Sequence, residues 1–124
     1  DKNIVTDIEK DISFKGDEKL IRQVIGILLD NAIKYAREKS DINVKLTKQN
    51  KKIVFTVENE ADNLEIKNYN ILFERFYRAD SSRNSKTGGY GIGLSIAQSI
   101  VLKHKGKISA DSFDGERIVF TVKL

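Results

Sequence analysis

The sequence contains no cysteine and a single histidine, His104. Without cysteine there is no disulfide framework and no thiolate metal site, which fits a cytosolic home. One histidine leaves no room for a histidine-based metal site or a Ser-His-Asp triad within this chain. Apolar runs extend only a few residues, which excludes a transmembrane helix. The chain opens Asp1-Lys2-Asn3, polar and without a starting methionine. No signal peptide is legible, and the chain reads as a piece of a longer protein. Repeats, linkers and low-complexity stretches are missing as well.

What is present is the composition of one folded domain. The 124 residues are 40% hydrophobic and 32% charged. A chain of this size buries roughly two-thirds of its unfolded surface, enough for a core. The formal net charge is +4, which favours an anionic partner over a cationic one. The basic residues are spread along the chain rather than clustered. A nucleic-acid role therefore ranks below a nucleotide or phosphoprotein role.

Hydrophobic spacing sets the elements. Leu20/Ile21, Val24/Ile25, Leu28/Leu29, Ala32/Ile33 and Ala36 recur every three to four residues, which predicts a helix over Asp17–Glu38 with Asp17 as N-cap. Before it, Asn3–Lys15 reads as two short β pieces around Asp11. Ile42, Val44 and Leu46 alternate, as do Ile53, Phe55 and Val57, and the polar stretch Lys48–Lys51 between them predicts a hairpin. Ile108 and Ala110, a turn at Asp114-Gly115, then Ile118, Phe120, Val122 and Leu124 predict a second hairpin. A second helix carries Leu94, Ala97, Ile100 and Val101, with Gly106 expected in the left-handed position that follows it. His104 reads as a cation-capable residue in that helix's last turn. The order is α+β, with helices on one face of a mixed or antiparallel sheet and the other face solvated.

Three segments could carry chemistry. Four of the eight glycines fall within Gly88–Gly93, directly before the second helix. Glycine admits close approach of a ligand, and a helix N-terminus offers unpaired N–H groups to an anion. The segment lacks the Gly-Lys-Ser/Thr ending of a P-loop and the preceding parallel strand of a dinucleotide fold. On the first helix, Asn31 lies one turn from Lys34 and Tyr35. An amide oxygen can ligate Mg²⁺ and a lysine can neutralise phosphate. The stretch Glu74–Thr87 holds four basic residues against two acidic ones, a composition suited to a cover over an anionic ligand.

Together these segments resemble the catalytic, ATP-binding domain of bacterial sensor histidine kinases, within the GHKL ATPase superfamily. Leu28–Tyr35 resembles the N box. Phe73–Arg78, followed by Ala79–Ser82, resembles the F box. Gly89–Ser95 resembles the second glycine box, and His104–Ile108 matches the step into the last hairpin. The resemblance covers the chain from about Asn3 to Leu124. It implies a two-layer α+β sandwich: a mixed five-stranded sheet with three helices on one face. It also implies ATP and Mg²⁺ as ligands. In that reading Asn31 holds the metal, and Asn31, Lys34 and Arg78 serve the transfer of the γ-phosphoryl group. Nucleotide contacts would come from Lys34, Tyr35, Asn59, Ala61, Asn63, Leu64, Phe76, Tyr77, Arg78, Arg83, Gly89, Gly91, Ile92, Gly93 and Leu94. The phosphate would pass to a histidine on a separate dimerisation domain, and from there to a response regulator. The whole protein would be a homodimer anchored in the membrane, with this domain in the cytoplasm.

Two positions depart from the family pattern. The first glycine box, Asp-x-Gly-x-Gly, is replaced by Asn59-Glu60-Ala61-Asp62-Asn63. Asn59 can still accept a hydrogen bond from the adenine amino group, but without charge, at a loss of about 1 kcal/mol. Those changes open the alternative of a degenerate nucleotide-binding switch with weak or no kinase activity. Ile27 stands where the family often has a second asparagine near the metal. The chain offers no water-activating base, so little ATP hydrolysis is expected from it alone.

Overall fold

The computed structural model describes residues 2–74 and 92–124. Among the described residues, six strands form one sheet: β1 (Asn3–Ile8), β2 (Asp41–Gln49), β3 (Lys52–Glu60), β4 (Lys67–Asn68), β5 (Lys107–Ser112) and β6 (Arg117–Lys123). They lie in the order β1-β2-β3-β6-β5-β4. β1 runs parallel to β2, and every other pair is antiparallel. Helix α1 (Glu18–Tyr35) makes the crossover between the two parallel strands. Helix α2 (Gly93–Lys103) precedes the last hairpin, and a short 3-10 turn occupies Asn70–Phe73. The sixth strand, β4, is only two residues long. Among the described residues the helical layer holds two α-helices and that 3-10 turn, against the three helices expected.

The core forms where the alternating strands meet both helices. Ile42 and Val44 of β2, Val57 of β3, Ile108 and Ala110 of β5, and Ile118, Phe120 and Val122 of β6 are buried with Val24, Leu28 and Ala32 of α1 and Ala97, Ile100 and Val101 of α2. Phe73 closes one end edge-on to Phe120, their ring centres 6.0 Å apart. The alternate positions Lys45, Thr47, Thr56, Ser109 and Thr121 lie outside this cluster. The two-faced pattern read from the sequence is therefore the pattern of the sheet. At the open edge, every residue of β1 is exposed, including Ile4, Val5 and Ile8.

Asp17 caps α1 as expected: Leu20 N–H donates to its Oδ1 at 3.1 Å. The helix stops at Tyr35, three residues short of the expected end. The Arg37 N–H goes to Glu60 O of β3 at 2.9 Å rather than continuing the helical ladder, so a tertiary bond overrides local propensity. The second β piece expected before Lys15 is absent. The chain turns at Asp11, whose φ is 61°, and Phe14 packs instead against the His104 ring.

His104, at the end of α2, also bridges to the start of α1. Its Nε2 accepts from Asp17 N–H at 3.1 Å, while Nδ1 lies 2.9 Å from Ile100 O. Those partners place a donor at Nε2 and an acceptor at Nδ1.

The end of α2 corrects the expected position of its glycine. Lys105 N–H donates to Leu102 O and Gly106 N–H to Val101 O, both at 2.9 Å. This is the paired bonding of a Schellman ending. The left-handed residue is Lys105, with φ 61°. Gly106 stands one place later because a Cβ there would lie 2.5 Å from Lys123 O. Lys105→Gly should stabilise the fold by about 0.5–1 kcal/mol, and Gly106→Ala should destabilise it by about 1–3 kcal/mol. Urea unfolding of both variants measures the two effects.

The second hairpin turns through Asp114, whose Oδ1 accepts from the N–H groups of Glu116 and Arg117, both at 2.8 Å. Those bonds hold its carboxyl below its ordinary value. A lowered carboxyl contributes stability above its unfolded value, and the contribution is lost as pH falls through the folded value. Wild type should therefore melt above Asp114→Asn at pH 7, and the two melting curves should converge as the pH drops below about 4.

Candidate functional site

Some of the residues expected to form a site lie on α1 and at the start of α2. Asn31 is half-buried on α1, and Lys34 and Tyr35 one turn on are exposed. The start of α2 lies against the same helix: a Cβ built on Gly93 would sit 3.7 Å from Ile27 Cγ2, one turn before Asn31. Ile92 precedes α2 without a side-chain cap. Its carbonyl accepts from Ile96 N–H at 3.0 Å and from the Ser95 hydroxyl at 2.8 Å. The N–H groups of the first turn have no acceptor within the helix, which leaves a partial positive charge facing outward there. Leu94 is partly buried against the core.

Asn59, also expected in the site, stands near the end of β3. Asn59 pairs with Ile42 and Ile118 across the sheet, facing the helical layer. It is only 1% exposed. Its Nδ2 donates to Glu60 O at 3.0 Å. Its Oδ1 is buried and has no hydrogen-bond partner, the single such side-chain atom among the described residues. The orientation of the amide is fixed by this pairing, since a flipped amide would turn oxygen against the Glu60 carbonyl. The amide is thus suited to its neighbours as well as able to accept. An orphan buried acceptor costs about 1–3 kcal/mol, and such atoms recur where a ligand supplies the missing donor.

The loop after Asn59 replaces the glycines of the family pattern in two ways. Asn63 takes the left-handed backbone itself, with φ 62°, a conformation that asparagine adopts more readily than most residues. Ala61 does not, and its N–H donates to Glu116 O at 3.1 Å. Leu64 is partly buried against the core. Phe76, Tyr77, Arg78, Arg83, Gly89 and Gly91 lie outside the described residues.

Arg37 escaped the sequence reading. Its Nε donates to Asp62 Oδ1 at 2.9 Å, its Nη1 to Glu60 Oε1 at 3.2 Å, and its Nη2 to Ala61 O at 3.2 Å and Glu116 Oε2 at 3.4 Å. The carboxylates, Asp62 foremost, raise the guanidinium above its ordinary value. Nothing in local spacing marks this residue, because its partners lie 23 to 79 positions away. For a cation, the described residues contain no group of three His, Asp or Glu side chains placed to hold one. The available donor set is the Asn31 amide together with water and the ligand's own oxygens. Mg²⁺ accepts such a set, because it retains much of its hydration.

Comparison with known proteins agrees with this geometry. The family described as histidine kinase-, DNA gyrase B- and HSP90-like ATPase matches residues 16–124. The sensor histidine kinase YkoH of Bacillus subtilis is 38% identical over 124 residues, which are 99% of this chain and 27% of YkoH. The heme sensor protein HssS of Staphylococcus haemolyticus is 38% identical over 121 residues, 98% of this chain and 25% of HssS. The chain thus spans about a quarter of the length of the curated relatives it matches. Among solved structures, the catalytic domain of histidine kinase ThkA superposes with a TM-score of 0.81 at 21% identity, over 99% of this chain and 78% of that one. Full-length ShkA, solved in complex with AMPPNP, superposes with a TM-score of 0.79 at 18% identity, over 98% of this chain and 25% of that one. Both share the fold. The order of boxes, the mixed sheet under its helices and these matches agree, and the chain belongs to the family of histidine kinase-, DNA gyrase B- and HSP90-like ATPases, its sequence matching about a quarter of the length of sensor histidine kinases.

Proposed function

We propose that this domain binds Mg²⁺-ATP between the start of α2 and the end of β3, and presents the γ-phosphoryl group to a histidine on a separate domain of the same protein. The observation that carries the reading is the buried, unpartnered Oδ1 of Asn59. Of the common nucleotide bases, adenine presents a 6-amino donor where guanine presents an acceptor. An acceptor without a partner at that depth selects the first over the second.

The remaining roles follow from placement. The uncapped N-terminus of α2 beside Ile27 supplies N–H groups and a positive dipole end to the phosphates. Lys34 adds a mobile positive charge. Asn31 would contribute its amide oxygen to Mg²⁺, which when bound neutralises charge on the phosphates. Arg78 and Arg83 carry over from the resemblance as cations for the terminal phosphates. In the reaction, a ring nitrogen of the acceptor histidine forms the new bond to phosphorus and the bond to the ADP oxygen breaks. Phosphoryl transfer of this kind depends chiefly on positioning and charge neutralisation, which is what this set of residues offers. The acceptor histidine would belong to a dimerisation domain, and a response regulator would take the phosphate onward. The whole protein would be a membrane-anchored homodimer with this domain in the cytoplasm. Among the described residues, no helix is long and apolar enough to cross a membrane.

Calorimetric titration with a non-hydrolysable ATP analogue tests the reading. Wild type should bind in a Mg²⁺-dependent manner. Asn31→Ala should lose the Mg²⁺ dependence, and Asn59→Ala should bind about three- to tenfold more weakly. Absence of binding at millimolar analogue would overturn the nucleotide role and leave a switch that acts through protein contacts. Rapid steady-state ADP release by the isolated domain would contradict the expectation that it hydrolyses little ATP by itself.

A further inference from the structure

The first glycine box of this family is a backbone device, yet in this chain two of its three characteristic residues carry side chains that the pattern lacks. Something other than glycine must hold Asn59–Asn63 in place. The Arg37 fork reaches three consecutive residues of that stretch: the Glu60 carboxylate, the Ala61 carbonyl and the Asp62 carboxylate. The Arg37 N–H adds a fourth bond, to Glu60 O. The same Glu60 carbonyl receives Asn59 Nδ2. Glu60 O is thus a shared anchor, with Arg37 on one side and the Asn59 amide on the other. On the far side, Glu116 ties the fork to the second hairpin through its carboxylate, and its own carbonyl accepts from Ala61 N–H. The Arg37 carbonyl also receives the Ser40 hydroxyl, so its backbone is held from both directions.

The geometry points to Arg37 as a positioning residue for base recognition. Resting on the adenine reading given above, we infer that its fork substitutes for the missing glycines by holding the Glu60–Asp62 stretch, whose Glu60 carbonyl orients the Asn59 amide, and so sets the preference for a 6-amino purine. Arg37 does not touch the nucleotide in this scheme. A planar guanidinium suits the task because it satisfies several acceptors at once in a fixed plane, which an ammonium cannot do. The three ion pairs are partly exposed, with 38% of the Arg37 side chain accessible. Each pair alone is weak. The strength of the arrangement lies in four acceptors converging on one residue.

The test is the ratio of affinities for ADP and inosine diphosphate, which differ at the 6-amino group that Asn59 would read. Calorimetry on wild type should give ADP the tighter binding. Arg37→Ala should reduce ADP affinity by about three- to tenfold and leave inosine diphosphate nearly unchanged, so that the ratio falls toward one. Arg37→Lys should recover only part of the ratio. General damage to the domain would weaken both ligands alike and leave the ratio intact, which would overturn the inference. So would an unchanged ADP affinity in Arg37→Ala. If Arg37→Ala does not fold, the pair Asp62→Asn with Glu116→Gln loosens the fork from the opposite side and must lower the same ratio. Equal binding of the two ligands by wild type would instead refute the adenine reading, and the role of Arg37 with it.

Discussion

Leu28 and Ala32 of α1, and Ala97 and Val101 of α2, have no accessible surface. They lie where the two helices meet each other and the sheet, and the two alanines allow the approach. Larger side chains at either alanine would push the helices apart. The separation matters because the start of α2 is useful only while it stays beside Ile27 and Asn31. The core therefore does more than stabilise the fold. It sets the distance between an amide that can meet a cation and a helix end that can meet an anion.

The end of β3 and the loop after it are governed by polar contacts. Asn59 sits on the strand face that is otherwise apolar, flanked across the sheet by Ile42 and Ile118. A polar group in that position is costly unless satisfied, and here only its Nδ2 is. The Arg37 fork, the Asn63 backbone and the Ala61–Glu116 bond then shape the loop that glycines shape elsewhere in the family.

Much of this was legible in the sequence, for reasons that can be named. Alternation in Ile42–Leu46, Ile53–Val57 and Ile118–Val122 is a direct record of a sheet with one buried face. Asp17 ahead of an apolar stripe is a cap that local chemistry dictates. The N box, F box and second glycine box identified the family by their order. Other features were hidden because they depend on distant partners. The early end of α1 follows from a bond to β3, and the Arg37 fork from residues on two other elements. Gly106 was read as the residue needing a left-handed backbone, when close approach by Lys123 O is what requires it. Two-residue β4 has no periodicity to detect, and its place is fixed by pairing with β5 and by Asn70, whose Oδ1 accepts from Ala110 N–H at 2.8 Å.

The two ends of the sheet are unequal. β4 blunts one edge to two residues, whereas β1 leaves six residues of backbone along the other. An open edge of that length, with Ile4, Val5 and Ile8 exposed on it, is a template for a further strand. Asp7 lies within it, and a second β1 added in parallel register would bring Asp7 against Asp7, a like-charge pair that disfavours stacking of copies. One carboxylate thus makes the exposed edge of β1 a poor partner for a parallel, in-register copy of itself.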